Sequence, residues 1–138
     1  MVKRAGVVVY NDKLEVLVCH PFGKAQRDHC YDLPKGHIDE DDSNMLAAAI
    51  RECEEETGLQ LDEEDFDKSA LFDYGGNGHM KVFFLKKPME ISLGGLHCRS
   101  LIDGSCKQKW KVGKPENDGF KLVPFEDLSL WLYNAYIE

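Results

Sequence analysis

The sequence contains no apolar run near the ~20 residues that a membrane-spanning helix requires, and no internal repeat or low-complexity tract. Its five cysteines, Cys19, Cys30, Cys53, Cys98 and Cys106, are an odd number without a C-x-x-C pair. Neither a disulfide framework nor a zinc site is therefore signalled, and each is read as a structural thiol. Proline is sparse, at 5 of 138 residues, and the 43% hydrophobic and 30% charged content is that of a globular chain rather than a disordered or fibrous one. The length suits one domain, taken as residues 1–138. The amino terminus runs into a strand-like segment without a signal-peptide profile, so the expected location is the cytoplasm, with no membrane partner.

Positive charge is also scarce. With 17 basic against 25 acidic residues the net charge is −8, which disfavours a general grip on nucleic acid through phosphate neutralisation. The imbalance is local: residues 39–67 hold 13 acidic residues against one basic residue, Arg51, which leaves the rest of the chain net +4. Such a chain is suited to divalent cations at one place and a phosphorylated ligand beside them. A solvated acidic surface is the alternative.

Two β-branched runs, 4–10 and 14–20, flank Asn11-Asp12-Lys13 and predict a hairpin. Residues 21–30 read as a loop, and Pro34-Lys35-Gly36 as a turn. From Asn44 to Thr57 the apolar residues Leu46, Ala49, Ile50 and Cys53 recur at helical spacing, with Ser43 or Asn44 as cap and Gly58 as stop. Strands at 71–74 and 80–85, joined through Gly75-Gly76-Asn77-Gly78, predict a second hairpin. Further strands are expected at 107–112 and 120–123, and a closing helix at 125–137. Together these elements give an α/β fold, a sandwich in which helices cover a mixed sheet.

The central helix carries the chemical signal. Glu52, Glu55 and Glu56 occupy one sector beside the apolar face. Like charges at i+3 and i+4 disfavour a helix by ~0.2–0.5 kcal/mol per pair, and acidic residues at a helix carboxyl end also oppose the macrodipole. A hard divalent cation offsets that cost, because Mg²⁺ takes one or two carboxylates together with waters and substrate phosphates. Arg51 is spaced to pair with Glu55 at i+4.

Gly36 followed by Arg51-Glu52-Cys53-Glu54-Glu55-Glu56-Thr57-Gly58-Leu59 resembles the Nudix box, whose carboxyl-terminal half is matched in full. Leu33-Pro34-Lys35-Gly36-His37 is similar to the approach to that box in Nudix hydrolases acting on dinucleoside polyphosphates. The resemblance implies a Nudix-type α/β/α sandwich and a pyrophosphohydrolase that cleaves a nucleoside diphosphate linked to another moiety, such as a dinucleoside polyphosphate or ADP-ribose. It implies Mg²⁺ or Mn²⁺ held by Glu52, Glu55, Glu56 and a main-chain oxygen near Gly36. It further implies Glu52 as a candidate base, Glu116 as a late catalytic acid or base with Asp118 second, and Arg51 as the basic member of the box. Lys35 and His37 are candidate phosphate contacts, with Arg4, His79 and Lys81 as further substrate contacts. Phe22, Tyr31, Tyr74 and Trp110 either stack on a base or pack in the core. His20-Pro21-Phe22-Gly23 resembles the His-Pro-Gly turn of one bacterial Nudix branch.

One departure stands out. Gly36 to Arg51 spans 15 positions where the pattern has 14, so the first box glutamate is replaced by Asp42 or Ser43, depending on the end counted from. Neighbouring Asp39, Glu40 and Asp41 are candidate substitutes. The rival reading is a non-catalytic Nudix-fold nucleotide-binding or regulatory module. The expected partner is a small nucleotide; the reading leaves open a capped RNA 5′ end and a homodimer.

Overall fold

The computed structural model describes residues 1–24, 29–73 and 78–132. Its strands are β1 (Val2–Val8), β2 (Glu15–Pro21), β3 (Lys35–His37), β4 (Phe66–Asp73), β5 (His79–Leu85) and β6 (Asn117–Pro124), with helices α1 (Met45–Thr57) and α2 (Leu128–Trp131). Four strands form a mixed sheet in the order β3-β1-β5-β4, in which β1 and β5 run parallel; β2 and β6 form a second, antiparallel pair.

Alternation along these strands produces two apolar layers, one on each face. Val8, Val16, Val18, Met80, Val82 and Val123 pack with Leu128 and Trp131 of α2. Ala5, Val7, Val9 and Leu17 pack against Ala48, Ala49 and Cys53 of α1. The small side chains on that face of α1 let the helix lie close to β1, and this fixes where its charged face emerges. Among the described residues no helix is long and apolar enough to cross a membrane.

The helix expected at 44–57 is present, capped by Asn44, whose side chain accepts from Ala47 N. The hairpin of β4 and β5 is present too, with β4 beginning at Phe66; its tight connection at 74–77 lies outside the described residues. Four expectations are corrected. In place of the turn expected at Pro34-Lys35-Gly36, Lys35–His37 is strand β3, drawn into the sheet by antiparallel pairing with β1. The first hairpin closes only at its base, through the Tyr10–Val16 bridge, after which β1 and β2 diverge into different sheets because each finds a longer partner elsewhere. Residues 107–112 form no strand: Lys109–Lys111 is a short 3₁₀ turn, its alternating lysines have no neighbouring strand to pair with, and Trp110 turns toward Phe22 instead. The closing helix stops after Trp131, where Leu132 becomes extended and bridges Tyr31; residues 133–138 lie outside the described residues.

Candidate active site

α1 delivers its charged face next to β3. Arg51 is the hub. Its Nε donates to Asp42 Oδ1 (2.9 Å) and its Nη2 to Asp42 Oδ2 (3.0 Å), a two-pronged pair in which the Asp42 side chain is only 7% exposed. Nη1 donates to Glu52 Oε1 (2.9 Å) and Glu55 Oε2 (2.8 Å), and Nη2 also reaches the His37 carbonyl (3.0 Å). One guanidinium thus relieves the repulsion between two glutamates and ties α1 to the loop before it. Asp42 stands at one of the two positions that the spacing gives for the absent box glutamate, and its hydrogen bonds from Arg51 hold its pKa below the ordinary carboxylate value.

The three glutamates have different surroundings. Glu52 lies against the Gly36 backbone, so a Cβ at position 36 would collide with its carboxylate. Burial, and then repulsion from Glu55, push its pKa up to about 7, with Arg51 opposing the rise. Glu56 is 3% exposed; Lys35 N donates to its Oε1 (3.2 Å), yet burial pushes its pKa up to about 8 against the pull of Lys35 and the Asn117 amide. Glu55 stays half-buried beside Arg51.

A cleft of about 500 Å³ opens beside this helix. Glu56 and Glu116 line it from the acidic side, and Arg4, Lys35, Lys24 and Lys111 supply cationic groups. Lys35 Nζ is paired with buried Asp32 at 3.4 Å, so its charge is held within the cleft. Glu116 accepts from the Ser100 hydroxyl and lies near enough to Glu52 to raise that residue's pKa. His37 sits opposite Arg4 in the β1–β3 register, with Arg4 Nη2 and His37 Nε2 3.2 Å apart. Burial, then Arg4 and Lys35, lower the His37 pKa, which favours its uncharged ring at neutral pH; His37 does not itself line the cleft.

Arg4, Lys35, Glu56 and Glu116 are therefore brought together on the cleft, whereas Gly36, His37, Arg51, Glu52 and Glu55 lie beside these residues without lining it. His79 and Lys81 are not brought there: they alternate with Met80 and Val82 on β5, share the α1-side face with Ala5 and Phe83, and do not line the cleft. Asp118 is engaged with buried His20, and Tyr31 is a core residue; Tyr74 lies outside the described residues. Sequence reasoning missed Lys24, Lys111 and Asn117 as cleft residues. Asn117 adjoins Glu116, but Lys24 sits in a loop without periodicity and Lys111 in the alternating run that reads as a strand.

Among the described residues no three acidic, His or Cys side chains form a ready metal cluster, because Arg51 gathers Glu52 and Glu55 while Glu56 turns toward Lys35. The donor chemistry nevertheless fits a hard divalent ion, which needs only one or two carboxylates. Glu52 and Glu56 are carboxyls whose burial opposes ionisation until a cation arrives.

A curated relative, described as an uncharacterized 17.7 kDa protein in the e-segB intergenic region of Enterobacteria phage T4, is 34% identical over 98 residues, covering 70% of this chain. This chain covers 62% of that protein's length. Solved structures of the same fold include a C. elegans Ap4A hydrolase, with 22% identity, coverage of 92% of this chain and 83% of that one, and a TM-score of 0.60. The NUDIX domain of Shewanella oneidensis NrtR, complexed with ADP ribose, has 15% identity, coverage of 96% and 79%, and a TM-score of 0.60. A MutT protein from Methanosarcina mazei Go1 has 15% identity, coverage of 98% and 86%, and a TM-score of 0.63. The sequence model of the NUDIX domain matches residues 2–136, nearly the whole chain, and the chain belongs to the NUDIX domain family.

Proposed function

We propose that the chain hydrolyses a phosphoric anhydride bond in a nucleoside diphosphate linked to another moiety, a dinucleoside polyphosphate or an ADP-ribose-like compound, with Mg²⁺ or Mn²⁺ as cofactor. The supporting observation is the row of α1 carboxylates beside a cleft whose other groups include Arg4 and Lys35. The neighbours named for Ap4A hydrolysis and for an ADP-ribose complex support that substrate class.

Glu52, Glu55 and Glu56, with a main-chain oxygen at Gly36, would hold the ion. When bound, such an ion neutralises phosphate charge and lowers the pKa of the attacking water. The chain's own groups do the rest. Arg4 and Lys35 bind phosphate oxygens, and His37 donates or accepts a hydrogen bond as a neutral ring. Glu52 or Glu116 accepts the water's proton, while Arg51 positions Glu52 and Glu55. The rival binding module draws on the missing box glutamate, and the Asp42–Arg51 pair weakens that argument.

Incubation with ADP-ribose, diadenosine polyphosphates, NADH and nucleoside triphosphates, with and without Mg²⁺, tests the proposal. Metal-dependent cleavage of at least one is expected, reduced at least a hundredfold in Glu56→Gln. Absence of any metal-dependent product favours the binding module.

A further inference from the structure

The stretch from Leu96 to Pro115 has no regular partner, yet it is firmly tied to the catalytic helix. Arg99 N and Ser100 N both donate to the Glu55 carbonyl (2.7 and 3.2 Å), and His97 N donates to the Thr57 carbonyl (3.1 Å). These bonds satisfy orphan carbonyls at the carboxyl end of α1. The two ends of the stretch then close on each other: Glu116 N donates to Ser100 O (2.8 Å), Ile102 N to Lys114 O (2.9 Å) and Gly113 N to Ile102 O (2.9 Å). The loop between them reaches the far side of the cleft, where Lys111 is a lining residue.

At that point it meets the turn after β2. Phe22, which lines the cleft, and Trp110 have ring centroids 5.7 Å apart at an interplanar angle of 49°. Trp110 nevertheless remains 62% exposed, so the pair is not a core contact. The Lys111 ammonium stands 5.4 Å from the indole centroid, at the outer part of cation–π range, from which its flexible stem can turn to an anion. Lys24 lines the same wall. The Asn117 side chain, on a residue 8% exposed, also lines the cleft, where its amide faces the Glu56 carboxylate and favours the ionised form.

Aromatic faces beside ammonium groups match the chemistry of a nucleotide, a flat base joined to anionic oxygens. We propose that this loop is the specificity wall of the cleft: Phe22 and Trp110 stack the nucleobase, and Lys24 and Lys111 take the adjoining phosphates. The assignment rests on the functional reading above and deepens it by naming what selects nucleotides over base-free polyphosphates.

Calorimetric titration of the full chain without added metal, using ATP and inorganic tripolyphosphate as probes, separates the two contributions without turnover. The unsubstituted protein should prefer ATP, and Trp110→Ala should remove about tenfold of that preference, the size of one base–aromatic stack, with tripolyphosphate binding unchanged. Trp110→Phe should keep most of the preference. Lys111→Ala should weaken both probes alike. Equal ATP-to-tripolyphosphate ratios in the unsubstituted and Trp110→Ala proteins overturn the base assignment, even where nucleotide hydrolysis is observed. Absence of binding by both probes overturns it as well, whereas hydrolysis itself is judged by the separate activity assay.

Discussion

At the residue scale the decisive contact is between Arg51 and Asp42. The chain has no glutamate at the box position before the arginine, and Asp42, nine residues before Arg51, accepts from its guanidinium with both oxygens. Replacing Asp42 with Asn removes the charge while keeping the shape, and at pH 7 it should cost about 1.5–3 kcal/mol, the range for hydrogen bonds to charged groups. The pH dependence has a defined sign. Because the folded pKa of Asp42 is depressed, its contribution is fully present above the unfolded value of about 3.9 and is lost as pH falls through the lower folded value. Thermal melts of Asp42→Asn and unsubstituted protein should therefore differ at pH 7 and converge in strong acid. The glutamates themselves were legible from their spacing, but not their inequality: Glu56 is deeply buried while Glu55 is not, a difference that depends on β3 covering one side of α1.

At the scale of the element, α1 was legible because cap, apolar stripe and terminal glycine agree. Gly58 sits at φ 85° and donates to Glu54 O, which closes the helix in the left-handed conformation that glycine tolerates best. An added Cβ would lie 3.1 Å from the His97 ring. Gly58→Ala should thus destabilise the protein by about 1–2 kcal/mol, visible as a lowered urea midpoint, and should loosen the strap at residues 97–100. The misread segments share a physical cause. Alternation at 107–112 mimics a strand, yet a strand exists only where another backbone offers partners, and these residues meet side chains instead. Helical spacing after Phe125 likewise yields to the Leu132–Tyr31 bridge.

Across the whole molecule, the sandwich was legible in the succession of strands and helices, whereas the pairing order was not. Adjacent runs 4–10 and 14–20 invite a hairpin, but the hydrophobic residues of β1 are better covered between β3 and β5, with α1 on one face. That rearrangement carries Arg4 and Gly36 to the same end of the sheet as the charged helix, and so creates the cleft. The account therefore turns on whether the carboxylates of α1 hold a divalent ion there. Anomalous diffraction from crystals grown with Mn²⁺ and ADP-ribose tests this most directly. A peak beside Glu52 and Glu56, lost in Glu56→Gln, is the predicted result; bound nucleotide with no peak beside those carboxylates would contradict the account.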